Sequence, residues 1–333
     1  MEKTITNGKD KVKSPSRINT RQIGNMAPYI GLILVIIIFG VLTEGRLLTV
    51  ANLKAMSNDA VTTGIVTIGA VFVFGAGYFD ISLGGSIGFA AVLGGLAAIS
   101  TGSLLVAFVV ILVVSIVLAV LKGLVAAYIK VPYFIFTIVL ASVFSSTVLV
   151  ILGNESSIFL KNAVKEIPSF NFTQMSIINT VTLFGFFIFG LILFNYTTLG
   201  IKVKMMGGNP RAAVQSGIDT KKTTMKLFLV SALGVALAAF IILIRTRSVG
   251  GTTAGSMGND VMVALVVGGM PLSGGPRSKI SPGIVGAATV TILNSGLAIM
   301  GLTTGEIQIC RGLVFIAVVL VSSLSYRGKL LPR

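Results

Sequence analysis

Few residues in this chain could carry chemistry, and their types exclude most of it. Asp80 lies between two apolar runs, Asp260 opens another, Glu306 precedes the last, and Lys122 and Arg311 stand at the ends of runs. A carboxylate inside a membrane could take up and release a proton during transport. The sequence places none of these firmly at mid-span, so proton coupling has little support. Sodium coupling through backbone carbonyls at glycine-rich breaks stays open. Histidine is absent, which removes the usual general base and metal ligand. Cys310 is the only cysteine, so an intramolecular disulfide is excluded and a cysteine-based metal cluster is not expected. There is no G-x-x-x-x-G-K-[ST] loop. The nearest stretch, Gly274-Gly275-Pro276-Arg277-Ser278-Lys279, has the wrong spacing, so ATP is not bound here by that route. With no Ser–His or Cys–His pair, a membrane enzyme is a weak reading. No cofactor is expected on this chain.

What remains is backbone chemistry at three places. Two turns are rich in glycine: Gly77-Tyr78-Phe79-Asp80-Ile81-Ser82-Leu83-Gly84-Gly85-Ser86 and Gly268-Gly269-Met270-Pro271-Leu272-Ser273-Gly274-Gly275. Irregular backbone near a membrane is tolerated only where protein or water satisfies it. These turns are therefore either tight helix-packing corners or the lining of a hydrophilic path. Asp80 and Ser82 are expected to cap the helix that follows, and Gly84 and Gly88 to allow close helix contact. The third place lies within 197–226. Asn209 suits an N-cap, Pro210 the first helical position, and Arg211-Ala212-Ala213-Val214-Gln215-Ser216 about two turns, with Gly217 as a left-handed stop. Such a short helix, flanked by Lys202, Lys204, Lys221 and Lys222, either rests on lipid headgroups or docks a cytoplasmic partner.

The elements that must hold these residues are membrane spans. Of 333 residues, 54% are hydrophobic and 11% charged, against about a quarter charged in soluble domains. Mean hydropathy is +0.98. Ten apolar runs lie near 27–43, 60–78, 86–99, 104–121, 133–152, 177–196, 227–244, 260–271, 283–301 and 311–325. The third and eighth are short and glycine-rich, so they are candidates for broken or tilted helices. The first run follows a basic stretch without a small-residue cleavage site and reads as a retained helix. The expected fold is all-α and polytopic: a disordered basic tail over 1–26, a transmembrane domain over 27–326 and a tail over 327–333. The net charge of +16 could mean nucleic-acid binding. With both termini placed in the cytoplasm, however, nineteen of the 26 Lys and Arg fall in inner segments and six in outer ones. That distribution follows the positive-inside rule, and nucleic acid drops out as a partner.

The same three stretches resemble the permease subunits of the ribose, galactose, arabinose and autoinducer class of bacterial ABC importers. Gly77 to Gly84 is similar to that family's G-G-x-D-L-S-x-G. Asn209, Ala212, Ala213, Ser216, Gly217 and Ile218 match N-x-x-A-A-x-x-S-G-I. Asp260, Ala264, Val266, Gly268, Gly269, Leu272, Gly274 and Gly275 match D-x-x-x-A-x-V-x-G-G-x-x-L-x-G-G. Tyr78 replaces a glycine, Met270-Pro271 a small polar pair, and Arg211 the usual glutamate. The resemblance implies that the helix at 210–216 is a coupling helix docking in a separate nucleotide-binding subunit, which holds ATP and magnesium. It also implies a second permease copy forming the path at a shared interface, and an external substrate-binding protein. Lys161, Lys165, Arg245 and Arg247 are placed to meet acidic residues of that protein. The cargo expected is a monosaccharide or similar small solute, with an ion-coupled carrier as the alternative.

Overall fold

The computed structural model describes residues 20–129, 131–160 and 168–327, with side chains from 26 to 320. Among these residues the chain folds into twelve α-helices, one 3-10 turn and one pair of short strands. The helices are α1 (Thr20–Leu42), α2 (Val50–Gly75), α3 (Leu83–Thr101), α4 (Leu104–Tyr128), α5 (Tyr133–Leu152) and α6 (Phe172–Tyr196). They continue with α7 (Thr198–Gly208), α8 (Pro210–Gln215), α9 (Thr220–Thr246), α10 (Met257–Val267), α11 (Pro282–Ile299) and α12 (Thr304–Arg327).

Each of the ten apolar runs falls on a helix. Among the described residues seven of these, α2, α3, α4, α5, α6, α9 and α11, are long and apolar enough to cross a membrane. The apolar parts of α1 and α10 are shorter. Boundaries follow local chemistry. Ser103 accepts the Val106 N–H at the start of α4, and the chain leaves α4 just before Pro132. Asn171 and Gln174 form a capping box at α6. Asp219 caps α9, and Pro282 opens α11.

Several expectations need correction. The segment 197–226 is far more helical than two turns: α7 precedes the short helix, and α9 starts at Thr220 rather than near 227. The apolar run beginning at residue 177 understated α6, which starts at Phe172. Helix α1 begins at Thr20, inside the stretch read as a tail, whose residues 1–19 lie outside those described. Helix α3 is one unbroken helix of 19 residues, while α10 stops at Val267 after 11. The all-α expectation also missed an antiparallel pair, β1 (Ser157–Phe159) on β2 (Ser248–Gly250), with Ile158 opposite Val249. Periodicity is a poor guide to three-residue strands, because one alternation gives no pattern.

Helices α2 and α9 form the centre. Some 83% and 78% of their most apolar windows are buried, against 28%, 28% and 22% for α4, α5 and α6, whose outer faces stay apolar and exposed. The packing pattern recurs in two halves. Helix α3 packs on α4 and α5 as α10 packs on α11 and α12, and α9 packs on α3 and α4 as α2 packs on α10 and α11. The halves meet where α2 crosses α9. There a Cβ on Gly69 would lie 3.2 Å from the Ser231 Cα, and one on Gly234 would lie 3.0 Å from the Ile65 carbonyl. Small residues at a crossing let backbones approach and raise dispersion contact where lipid supplies no hydrophobic drive.

Candidate functional site

The short helix is built as its residues dictate. The Asn209 side-chain oxygen accepts the Ala212 N–H at 3.1 Å, and Pro210 sits at the first position, where its missing N–H costs nothing. Gly217 ends the helix at φ +78, its N–H bonding to Val214 and that of Ile218 to the Ala213 carbonyl at 3.1 Å. Gly77 closes α2 and Gly269 closes α10 with the same pair of bonds. Ala213 is fully buried and anchors α8, while Arg211, Val214, Gln215 and Ser216 are exposed. Val214 is an apolar side chain left 58% exposed on this capped helix.

This helix is tied to the bundle through the second glycine-rich turn. The Gly275 N–H donates to the Gly75 carbonyl at 2.9 Å, where α2 ends. Gly207, at the end of α7, abuts both Gly75 and Gly275, and Gly208 lies against Pro276. Thus Gly274 and Gly275 join the end of α2 to the helix that leads into α8. Sequence reading treated the two stretches separately; their contact is a product of tertiary packing.

The first glycine-rich turn does something the sequence reading missed. Ser82 does not cap α3. Its N–H and hydroxyl both donate to Asp80 Oδ1, at 2.9 and 2.6 Å. Asp80 Oδ2 accepts Lys122 Nζ at 2.9 Å, and Lys122 also donates to Ser86 Oγ at 3.2 Å. Both charged side chains are at least 96% buried, at 4% and 3% exposure. Lys122, expected at the end of an apolar run, lies inside the bundle on α4. Tyr78 packs its ring on Tyr133 and Phe228, and its hydroxyl is 3.3 Å from Thr224 Oγ1.

A second buried pair forms in the other half. Asp260 Oδ1 pairs with Arg311 Nη1 and accepts Asn294 Nδ2 at 3.2 Å, while Oδ2 accepts Ser256 Oγ at 2.9 Å. The sequence placed none of these groups firmly at mid-span; the structure shows that Asp80, Lys122, Asp260 and Arg311 are all buried within the protein, as two pairs. A lone buried charge is prohibitive; pairing and hydrogen bonds make burial tolerable. Spacing in sequence, 42 and 51 residues, gave no signal for either pair.

The two pairs flank a junction where the N-terminal ends of α3 and α10 meet. A Cβ on Gly84 would lie 2.5 Å from the Ala254 carbonyl and 3.1 Å from the Gly258 nitrogen. One on Gly258 would strike the Ile81 carbonyl, and one on Gly88 would lie 2.7 Å from the Thr253 carbonyl. Only glycine fits such an approach. Gly268 plays a like part at the other end of α10, close against Pro282 of α11. Two cavities beside the first pair, one lined by Tyr78, Asp80 and Ser231 and the other by Ser86, Ser115 and Lys122, measure about 10 Å³ each. That is room for a water, not for a solute.

On the opposite side of the bundle, Arg245 Nη1 meets Asp59 Oδ1 at 2.7 Å, and the Arg247 carbonyl accepts the Leu160 N–H at 2.9 Å beside the strand pair. Lys161 and Lys165 lie outside the described residues.

A bundle of long apolar helices, with two ion pairs buried inside it and apolar outer faces, defines a multi-pass membrane protein. The chain belongs to the family described as branched-chain amino acid transport system / permease component, whose pattern matches residues 52–322. It is similar to the ribose import permease protein of Bacillus subtilis, 26% identical over 309 residues, covering 89% of this chain and 92% of the relative. It is also similar to the xylose transport system permease protein of Escherichia coli K12, 24% identical, covering 89% and 91%. The galactose/methyl galactoside import permease protein of the same organism is 27% identical, with 89% and 93% covered.

Proposed function

We propose that this chain is the membrane-spanning permease of an ATP-driven importer. It carries a monosaccharide or similar small polar solute across a bacterial cytoplasmic membrane by alternating access. The observation that carries the reading is the capped helix α8, anchored by buried Ala213 and presenting exposed Val214, at the end of an elbow hydrogen-bonded to the core. Family membership and the sugar permeases among its relatives support the class of cargo.

In this reading the chain crosses the membrane ten times, with the tail before α1 and the residues after α12 in the cytoplasm. It performs no chemistry. A separate nucleotide-binding subunit holds ATP and magnesium and receives Asn209, Arg211, Ala212, Ser216 and Gly217, while Ala213, buried against this chain, anchors the helix from within. Closure of that subunit pushes α8, and because Gly207, Gly75 and Gly275 are in contact, the push reaches the end of α2 and the turn after α10 as a rigid-body shift. Arg211, in place of the family's glutamate, selects an acidic patch on the partner. The solute passes between two permease copies, which accords with the small size of the cavities beside the buried pair. The outer segment carrying Lys161 and Lys165, with Arg245 and Arg247 at the end of α9, meets an external binding protein. Arg245 brings Asp59 to that surface as a paired neighbour.

The test is Ala213→Pro. Proline there removes the bond from the residue 213 N–H to the Asn209 carbonyl, 3.0 Å in length, and costs about 3 kcal/mol. Uptake and co-purification of the ATPase should both be lost while membrane insertion stays normal. Retained co-purification sinks the docking role. Uptake that survives without any ATPase and collapses with an ionophore would instead mark an ion-coupled carrier.

A further inference from the structure

The two halves of the bundle anchor their outermost helices in different ways. Helix α5 is held to α3 by a stripe of buried side chains, Tyr133, Thr137, Leu140, Phe144, Val148 and Leu152, spaced three and four apart along one face. Helix α12 holds the corresponding place against α10. Between Thr304 and residue 320 of α12, Arg311 alone is buried. Ile309, Leu313, Ile316 and Leu320 are each more than half exposed, and Val314 and Phe315 are only partly covered. Its inner apolar side chains, Ile307, Val314, Phe315, Val318 and Val319, are only half-covered, so among the described side chains of α12 the Arg311 pair supplies the one fully buried anchor.

The carboxylates differ correspondingly. Asp80 takes its cation from α4, deep in the core, and Lys122 Nζ is held there by Ser86 as well. The counterpart of α4 in the second half is α11. There the residue facing Asp260 is an amide, Asn294, and the cation comes from α12. Asp260 also keeps the Ser256 hydroxyl and sits in the first turn of α10, where the helix dipole favours negative charge. Its carboxylate therefore retains polar support if Arg311 leaves. Arg311 can reach a headgroup or water, because long basic side chains snorkel.

We infer that Asp260 and Arg311 form a clasp that opens during transport to release α12, whereas Asp80 and Lys122 form a permanent bolt. Arg311 and Asp260 are positioning residues for the importer cycle, and the inference rests on that reading of the chain. Helix α12 is the moving wall, and α5 moves only with α3.

Cys310 supplies the reporter. It is the chain's only cysteine, adjacent to Arg311, half-buried and packed with the cluster around Phe39. The reaction of Cys310 with N-ethylmaleimide should be timed in membranes holding the full-length chain and its partner subunits. Arg311→Gln and Asp260→Asn should each speed labelling about tenfold, as expected when a local opening becomes more populated. Arg311→Lys, which keeps the charge, should restore most of the slow rate. Lys122→Gln, which removes the same charge from the bolt, should leave the rate within about twofold wherever the protein folds. Folding is checked by a single peak in size exclusion.

An unchanged rate in folded Arg311→Gln or Asp260→Asn overturns the clasp. So does equal acceleration by Lys122→Gln, which would signify general loosening. If uptake is lost in Arg311→Gln with no change in labelling, the clasp falls and the importer reading stands. If the ATPase never binds α8, the importer reading falls and the labelling ratios still report whether Arg311 fastens α12.

Discussion

Removing Lys122 strands Asp80 among side chains that exclude water, so the cost is that of an unpaired buried charge rather than of one hydrogen bond. Lys122→Ala should lower stability by about 3–5 kcal/mol. Arg245→Ala, which breaks a pair whose aspartate is 56% exposed, should cost about 0–1 kcal/mol. Thermal unfolding in detergent compares the two, and equal losses would refute the assignment of Asp80 and Lys122 to the core. Asp219 supplies a pH signature at the start of α9. The Lys222 backbone N–H, donating to its carboxylate, holds the Asp219 pKa below its ordinary value, with help from the Lys222 side chain. A depressed acid contributes stability in full above its unfolded pKa and loses it as pH falls through the lowered value. The Lys222 amide should therefore keep its native chemical shift through the ordinary aspartate range and change only in stronger acid. Asp219→Asn should abolish that transition.

Among elements, the α3–α10 junction is the least tolerant of added volume. Gly84→Ala places a methyl 2.5 Å from the backbone carbonyl of Ala254. Since backbone cannot rotate away, the helices must separate at a cost of about 1–3 kcal/mol or more. Gly185→Ala in α6 meets nothing within 4 Å and should be neutral or stabilising by up to about 1 kcal/mol through helix propensity. Melting temperatures of the two variants give the comparison, and similar values would mean the junction is looser than described. At this scale local sequence was informative. The cap at Asn209 and the stop at Gly217 were legible because each depends on residues within a few positions, whereas the caps at Asn171 and Asp219 were not read and the one expected of Ser82 is not made. The length of α7 was not legible, because Gly207-Gly208 at its end discourages a helix and the burial of Val203 and Met206, with the glycines packed on Gly75, Gly275 and Pro276, belongs to the tertiary structure.

For the whole molecule, the orientation carries the most weight. Single cysteines at Val214 and at Glu155, each in a Cys310→Ser background, should react with a membrane-impermeant maleimide from opposite sides, Val214 from the cytoplasm. A Val214 cysteine reached from outside would reverse the assignment of every loop. In cells, a crosslinker on the Val214 cysteine should capture an ATP-hydrolysing polypeptide.

The amino-acid sequence by itself determined that the chain is a multi-pass helical membrane protein, because long apolar runs have no other stable solvent. It also determined the α8 cap-to-stop unit and the family, since both are written in contiguous residues. Which charges meet was decided only by the tertiary structure. Asp80 and Lys122 come together because α3 and α4 pack on the α2–α9 centre, and Asp260 and Arg311 because α12 lies along α10. A carboxylate between two apolar runs looks the same in sequence whether it faces water or an ammonium group. The desolvation that makes its partner indispensable exists only once the helices have closed around it.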